Sequence, residues 1–232
     1  MVMPKLLYNR FTILIVALLI SLILCGCVKA SDSSLSKNLL PFPGTEWNMM
    51  PSEVKSALSI PDECCVQGTD NRTEYAFTVE NLLVLDQETA VTFRFRDYVE
   101  ADHLGLRFVY VYFTSNVDYA SLQSAVTEEL GEPDASDSTS CTWNSAEPLG
   151  PYMNEAYAEV KELNPEVYST IYGTMKDDPA AWVTLSKTAA DYFTANSNPD
   201  VLEEYQDCPC LIFWGNVTEL LQYAQYGIPG IE

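Results

Sequence analysis

Hydrophobic and polar positions run through this chain in three successive rhythms. The first is a nearly unbroken apolar run, Phe11 to Leu24 (FTILIVALLISLIL), preceded by Lys5 and Arg10 and by no acid. It is shorter than the roughly 20 residues that span a bilayer. A basic start, an apolar middle and the small-residue site Cys25-Gly26-Cys27 have the order of a secretory leader over residues 1–26. The second rhythm, Val28 to Asn38 (VKASDSSLSKN), is Ser-rich and poor in large apolar residues. Such a segment cannot bury enough surface to fold and reads as a flexible tether over 27–40.

The third rhythm begins after Pro41-Phe42-Pro43-Gly44. Pro51 suits the first position of a short helix, with Val54, Ala57 and Leu58 on one face and Ile60-Pro61 ending it. Gly68 to Thr73 reads as a polar loop. Tyr75 to Leu85 is rich in β-branched and aromatic residues, and Ala90 to Arg96 alternates, with Val91, Phe93 and Phe95 on one side. Both predict strands, the second half-buried and antiparallel. Leu106 to Phe113 (LRFVYVYF) is apolar on both sides, as a central strand is. Short connections make a meander the economical arrangement. Tyr119, Leu122, Val126 and Leu130 then recur at helical spacing, with Asn116 as cap, Asp118 at the positive end, and Gly131 and Pro133 as stop. Cys141-Thr142-Trp143 predicts another strand.

The C-terminal part reads mainly as helix. Glu155 to Leu163 is an amphipathic segment. Asp178-Pro179 is a helix start, with Trp182, Leu185, Ala189 and Phe193 as its stripe. Leu211 to Trp214 reads as a buried strand, and Asn216-Val217-Thr218-Glu219 opens a last helix to Tyr226. The fold class expected is therefore α+β, an antiparallel meander sheet with helices on one face. An α+β domain over 41–146 is followed by a helical extension over 147–232 with one added strand. No clean internal repeat is visible.

Composition narrows the function classes. Twelve basic residues face 33 acids, and the formal net charge is −21. Lys5 and Arg10 lie in the leader, so the chain beyond it is more acidic still. Nucleic-acid binding needs clustered Lys and Arg and is not expected. The acids are spread out, which serves solubility. Beyond Cys27 there are five cysteines: Cys64, Cys65, Cys141, Cys208 and Cys210. An odd number leaves at least one thiol free or paired between chains. Their spacing and the single His103 do not make a zinc set, so buried thiols or one disulfide are the expectation and no metal or cofactor is.

Leu24-Cys25-Gly26-Cys27 resembles the bacterial lipoprotein signal: an aliphatic residue, a variable one, Gly or Ala, then Cys. That resemblance implies that the Cys27 thiol carries a diacylglyceryl thioether and anchors the chain on the extracytoplasmic face of a cell membrane. Phe42-x-Gly44-x-x-Trp47-Asn48-Met49, with Pro51-x-Glu53-Val54, resembles an opening of small bacterial envelope lipoproteins, usually Trp-Gly-Met-Ser-x-Glu-Glu-Val. Leu130-Gly131-Glu132-Pro133 and Trp143 fit the same layout over residues 42–145. Such domains resemble the β-lactamase-inhibitor-protein-like and outer-membrane-assembly-lipoprotein folds. The likeness implies a protein-binding or envelope-assembly role. Asn48 replaces the usual Gly and Met50 the usual Ser cap.

No catalytic motif appears. Nucleophilic triads would all need His103, and the acidic pairs Glu128-Glu129, Asp177-Asp178 and Glu203-Glu204 read as solvated charge. The expectation is a non-enzymatic module with a protein or peptide partner, and as the alternative a small-molecule-binding lipoprotein associated with a transporter. Trp47, Phe108, Tyr110 and Tyr112 are the candidates for a Tyr-rich binding surface, against core packing of the same sheet.

Overall fold

A computed structural model describes residues 39–71, 73–97, 104–114, 116–195 and 202–226. The leader, Cys27, the tether and His103 lie outside the described residues. Eight antiparallel strands form one sheet: β1 (Cys65–Asn71), β2 (Glu74–Val84), β3 (Gln87–Arg96), β4 (Gly105–Phe113), β5 (Ala135–Ser136), β6 (Ser140–Asn144), β7 (Ala181–Ser186) and β8 (Cys210–Gly215). Their order is β1-β2-β3-β4-β8-β7-β6-β5. The helices are α1 (Pro51–Leu58), α2 (Tyr119–Leu130), α3 (Gly150–Ala156), α4 (Ala158–Leu163), α5 (Pro165–Met175), α6 (Ala189–Ala195) and α7 (Asn216–Tyr226). The α+β class and the antiparallel meander are as the sequence predicts. No helix among the described residues is long and apolar enough to cross a membrane.

Local chemistry explains the opening. Asn48 takes the left-handed region at φ 69°, which Asn tolerates better than most residues with a side chain. Its N–H donates to the Leu106 carbonyl at 3.0 Å, and the Leu106 N–H donates to Met49 at 2.8 Å, tying the turn to β4. Met50 offers no side-chain cap to α1, but the Glu53 carboxylate accepts from the Met50 N–H at 2.7 Å. That bond satisfies one orphan donor without the usual Ser.

Four predicted elements differ. Residues Gly68 to Asn71 belong to β1, an edge strand whose side chains are mostly exposed, so no apolar alternation marks it. Asp118, not Asn116, caps α2: its carboxylate accepts from the Ser121 N–H at 2.9 Å. Trp182 and Leu185 lie on β7 rather than on a helix started at Asp178-Pro179, and Ala189 and Phe193 lie on α6. The segment 147–232 supplies two strands, β7 and β8, where the pattern predicts one, and both pair into the middle of the sheet.

The pairing register is symmetric about the β4–β8 seam, a repeat that composition hides. Thr92 pairs with Tyr110 and Thr184 with Ile212, while Tyr110 pairs with Ile212 across the seam. One strand further out, Thr78 bonds Thr92 at 2.8 Å and Thr142 bonds Thr184 at 3.0 Å, hydroxyl to hydroxyl. Each four-stranded meander follows a helix, Val54-Lys55-Ser56-Ala57-Leu58 in α1 and Leu122-Gln123-Ser124-Ala125-Val126 in α2. Helices α3 to α5 are inserted in the second meander where the first has only the tight turn at Leu85-Asp86.

The main core lies between the helices and one face of the sheet, from Phe42, Phe77, Phe93 and Phe95 across to Trp143, Val183 and Phe213. Its aromatic centre is close-packed, with Phe77 5.2 Å from Phe93 and 5.6 Å from Phe95. A smaller cluster sits on the opposite face, where α6 brings Ala189 and Phe193 onto Phe108, Tyr110, Tyr112 and Ile212.

Candidate functional site

The four aromatics singled out by sequence divide between the two faces. Trp47 is on the helix side, packed so closely on Gly215 that a Cβ there would lie 2.3 Å from the indole. Phe108, Tyr110 and Tyr112 point to the other face. All four are buried, at 9, 6, 2 and 1% exposure for Trp47, Phe108, Tyr110 and Tyr112 respectively. Tyr110 meets Phe193 edge-on at 5.0 Å, and Tyr112 stacks on Tyr205 at 5.2 Å. The physical reason is that β4 is central and α6 covers its second face, so its aromatics fill the interior on both sides rather than open a surface. Cys27, the lipidation candidate, lies outside the described residues.

The same face carries an open trough further along, over β6, β7 and β8. Its volume is about 410 Å³. The pairing register sets it out in three rows. Asn144, Trp182 and Trp214 form one end, Thr142 and Thr184 the middle, and Ser140 and Ser186 the other end. These ends lie about 13 Å apart, at roughly 3.3 Å per strand residue. Asp137, from the β5–β6 turn, and Asp191 and Tyr192, from α6, form the walls.

The aromatic end is a stacked pair. Trp182 lies on Trp214 at 4.8 Å and 28°, and Trp214 meets the edge of Phe108 at 4.7 Å. Arg107, paired with Glu219 at 2.6 Å, holds its guanidinium 5.5 Å from the Trp214 ring. The Trp214 indole N–H is buried and has no hydrogen-bond partner among the described residues. Trp182 is half-buried.

The floor hydroxyls are mostly engaged: Thr142 with Thr184, and Ser186 donating to the Thr188 carbonyl at 2.8 Å. At the acidic end, Asp137 Oδ1 accepts from Thr139 N–H at 2.7 Å, Thr139 hydroxyl at 3.0 Å and Ser140 N–H at 2.8 Å. The Thr139 and Ser140 amides hold its carboxyl below the usual carboxylate range. Burial pushes the Tyr192 hydroxyl well up.

Sequence reasoning missed this site, although the signal was present. Trp182-Val183-Thr184-Leu185-Ser186 alternates strictly, with the trough residues on one side and Val183 and Leu185 on the core side. A helix start at Asp178-Pro179 masked it.

Other clusters have structural work. Buried Arg94 pairs with half-buried Glu74 and donates to the Tyr110 hydroxyl at 3.5 Å. All five described cysteines are free thiols. Cys210 is fully buried and burial pushes its thiol well up, so it stays protonated and inert. No group of three or more His, Cys, Asp or Glu among the described residues could hold a metal ion. Compared with protein-family models, with curated proteins and with solved structures, the chain matches none.

Proposed function

We propose that this chain is an extracytoplasmic lipoprotein, anchored in the cell membrane through Cys27, that acts as a protein-interaction or envelope-assembly module rather than as an enzyme. The observation that carries the reading is the trough beside β7: an open, aromatic-ended site on a sheet whose opposite face is locked into the main core. A rigid scaffold that presents a half-buried tryptophan suits recognition, since aromatic anchors dominate interface energies. The floor hydroxyls of Thr142 and Thr184 bond to each other and that of Ser186 to backbone, while the Thr139 hydroxyl donates to Asp137 within its own turn, with no imidazole or amine base beside any of them among the described residues. The strong negative charge supports the same arrangement, since it repels the domain from anionic lipid while the acyl chains hold it nearby.

A second reading is a small-molecule-binding lipoprotein that serves a transporter. The trough volume of about 410 Å³ favours it, being within the range of small-ligand sites.

The test has two arms. Cys27→Ser should abolish fatty-acid labelling and release the protein from membranes; unchanged labelling and fractionation would refute the anchor. Photo-crosslinkers placed around the surface of the anchored protein should recover one defined protein from native envelopes. Recovery of none, with binding of a small solute instead, would favour the second reading.

A further inference from the structure

The trough is unequal at its two ends, and the inequality specifies an occupant. Trp182 presses one face on Trp214, and no other ring contact occupies its second face among the described residues. At the far end stand two exposed carboxylates. Asp137 spends Oδ1 on its own turn, leaving Oδ2 outside those bonds, and Asp191 forms no ion pair among the described residues. None of the described residues lining the trough is basic. Lys187, just past β7, donates to the Ser138 carbonyl of the β5–β6 turn and lies 5.7 Å from the Tyr119 ring, and it forms no ion pair with Asp137 or Asp191 among the described residues. Charge complementarity therefore calls for a cation at the Asp137 end, and an unfilled indole face calls for an apolar ring or a second cation at the other.

The spacing selects a peptide. About 13 Å is the separation of side chains i and i+4 on one face of an extended chain. Resting on the interaction-module reading above, we infer that the trough binds an extended basic peptide segment of a partner protein. A Lys or Arg lies at Asp137 and Asp191, and an aromatic side chain four residues away stacks on Trp182.

The experiment is calorimetric titration of the full-length protein in detergent with an acetylated, amidated Lys-Ser-Thr-Ser-Phe peptide at low salt. Binding is expected, weakening as salt rises. Asp137→Asn combined with Asp191→Asn, and separately Trp182→Ala, should each weaken it about fivefold or more. The same peptide with Glu for Lys should not bind. Absence of heat with millimolar peptide, binding indifferent to all three substitutions, or tight binding of cellotriose instead would each overturn the inference. Circular dichroism of each variant checks its folding, which the trough-surface position of all three residues leads us to expect. Should the peptide fail while surface crosslinking still recovers a partner, the site assignment falls and the interaction-module reading stands.

Discussion

Two glycines make opposite forecasts for the same substitution. Gly215 ends β8 directly beneath Trp47, and an added Cβ would sit 2.3 Å from indole carbons. The ring cannot retreat, because Asn48 next to it is tied to Leu106 and a Cβ on Gly105 would in turn meet the Asn48 amide at 2.1 Å. Gly215→Ala is therefore expected to destabilise the protein by about 1–3 kcal/mol in urea unfolding. Gly173 lies inside α5, and a Cβ there meets nothing within 4 Å. Gly173→Ala should stabilise by about 0.5–1 kcal/mol, by removing backbone freedom from the unfolded chain. Equal effects at the two sites would show that the Trp47–Gly215 packing is wrong. Residue-level features of this kind were partly legible: Trp47-Asn48 marked a special turn, but its partner Gly215 is 168 positions away in sequence, and no local pattern announces it.

At the scale of elements, caps and ion pairs decide what pH and mutation do. The Ser121 amide and hydroxyl hold the Asp118 carboxyl below its ordinary value at the start of α2. A depressed folded value means that the cap contributes fully above about pH 4, the unfolded aspartate value, and is lost as pH falls through the lower folded one. The protection factor of the Ser121 amide, taken against its intrinsic exchange rate at each pH, should therefore fall in acid, and Asp118→Ala should show the low protection at neutral pH. Protection unchanged by the substitution would exclude Asp118 as the cap. On β2 and β3, Glu74 meets buried Arg94 and, at 3.7 Å, Arg96, whose side chain is 42% exposed. Glu74→Gln removes the carboxylate charge facing a buried guanidinium and should cost about 2 kcal/mol, whereas Arg96→Gln should cost under about 1 kcal/mol. Denaturant midpoints of the two variants check the order. Strands β2, β3, β4, β6 and β8 could be read from apolar or alternating patterns. Strand β1 could not, because an exposed edge needs no apolar face, and β7 was lost because a sound helix-start signal at Pro179 outweighed a short alternation.

At the scale of the whole molecule, the sheet joins what a composition shift divides. The sequence changes character near residue 146, where the meander ends and helical spacing takes over, yet β8 returns to pair with β4 over Phe108 to Tyr112. Strand β4 is buried along its whole length, and α7 and the Trp47 turn meet at its start, where the Thr218 hydroxyl and the Asn48 N–H both donate to the Leu106 carbonyl. Removing residues 147–232 would therefore leave Leu106-Arg107-Phe108-Val109-Tyr110-Val111-Tyr112-Phe113 as a long apolar edge, open to pairing with other chains. It would also strip Val183, Phe213 and Val217 from the main core. We expect the chain truncated after residue 146 to aggregate, or to elute as a dimer that pairs β4 with β4, rather than to remain a folded monomer. The intact chain should unfold in one transition seen alike by tryptophan fluorescence and far-ultraviolet dichroism. Two separated transitions, or a stable monomeric fragment in size exclusion, would mean that the β4–β8 seam is a docking contact between independent domains and not the centre of one sheet. The symmetric register favours the single sheet, because each meander presents at the seam the strand that most needs a neighbour.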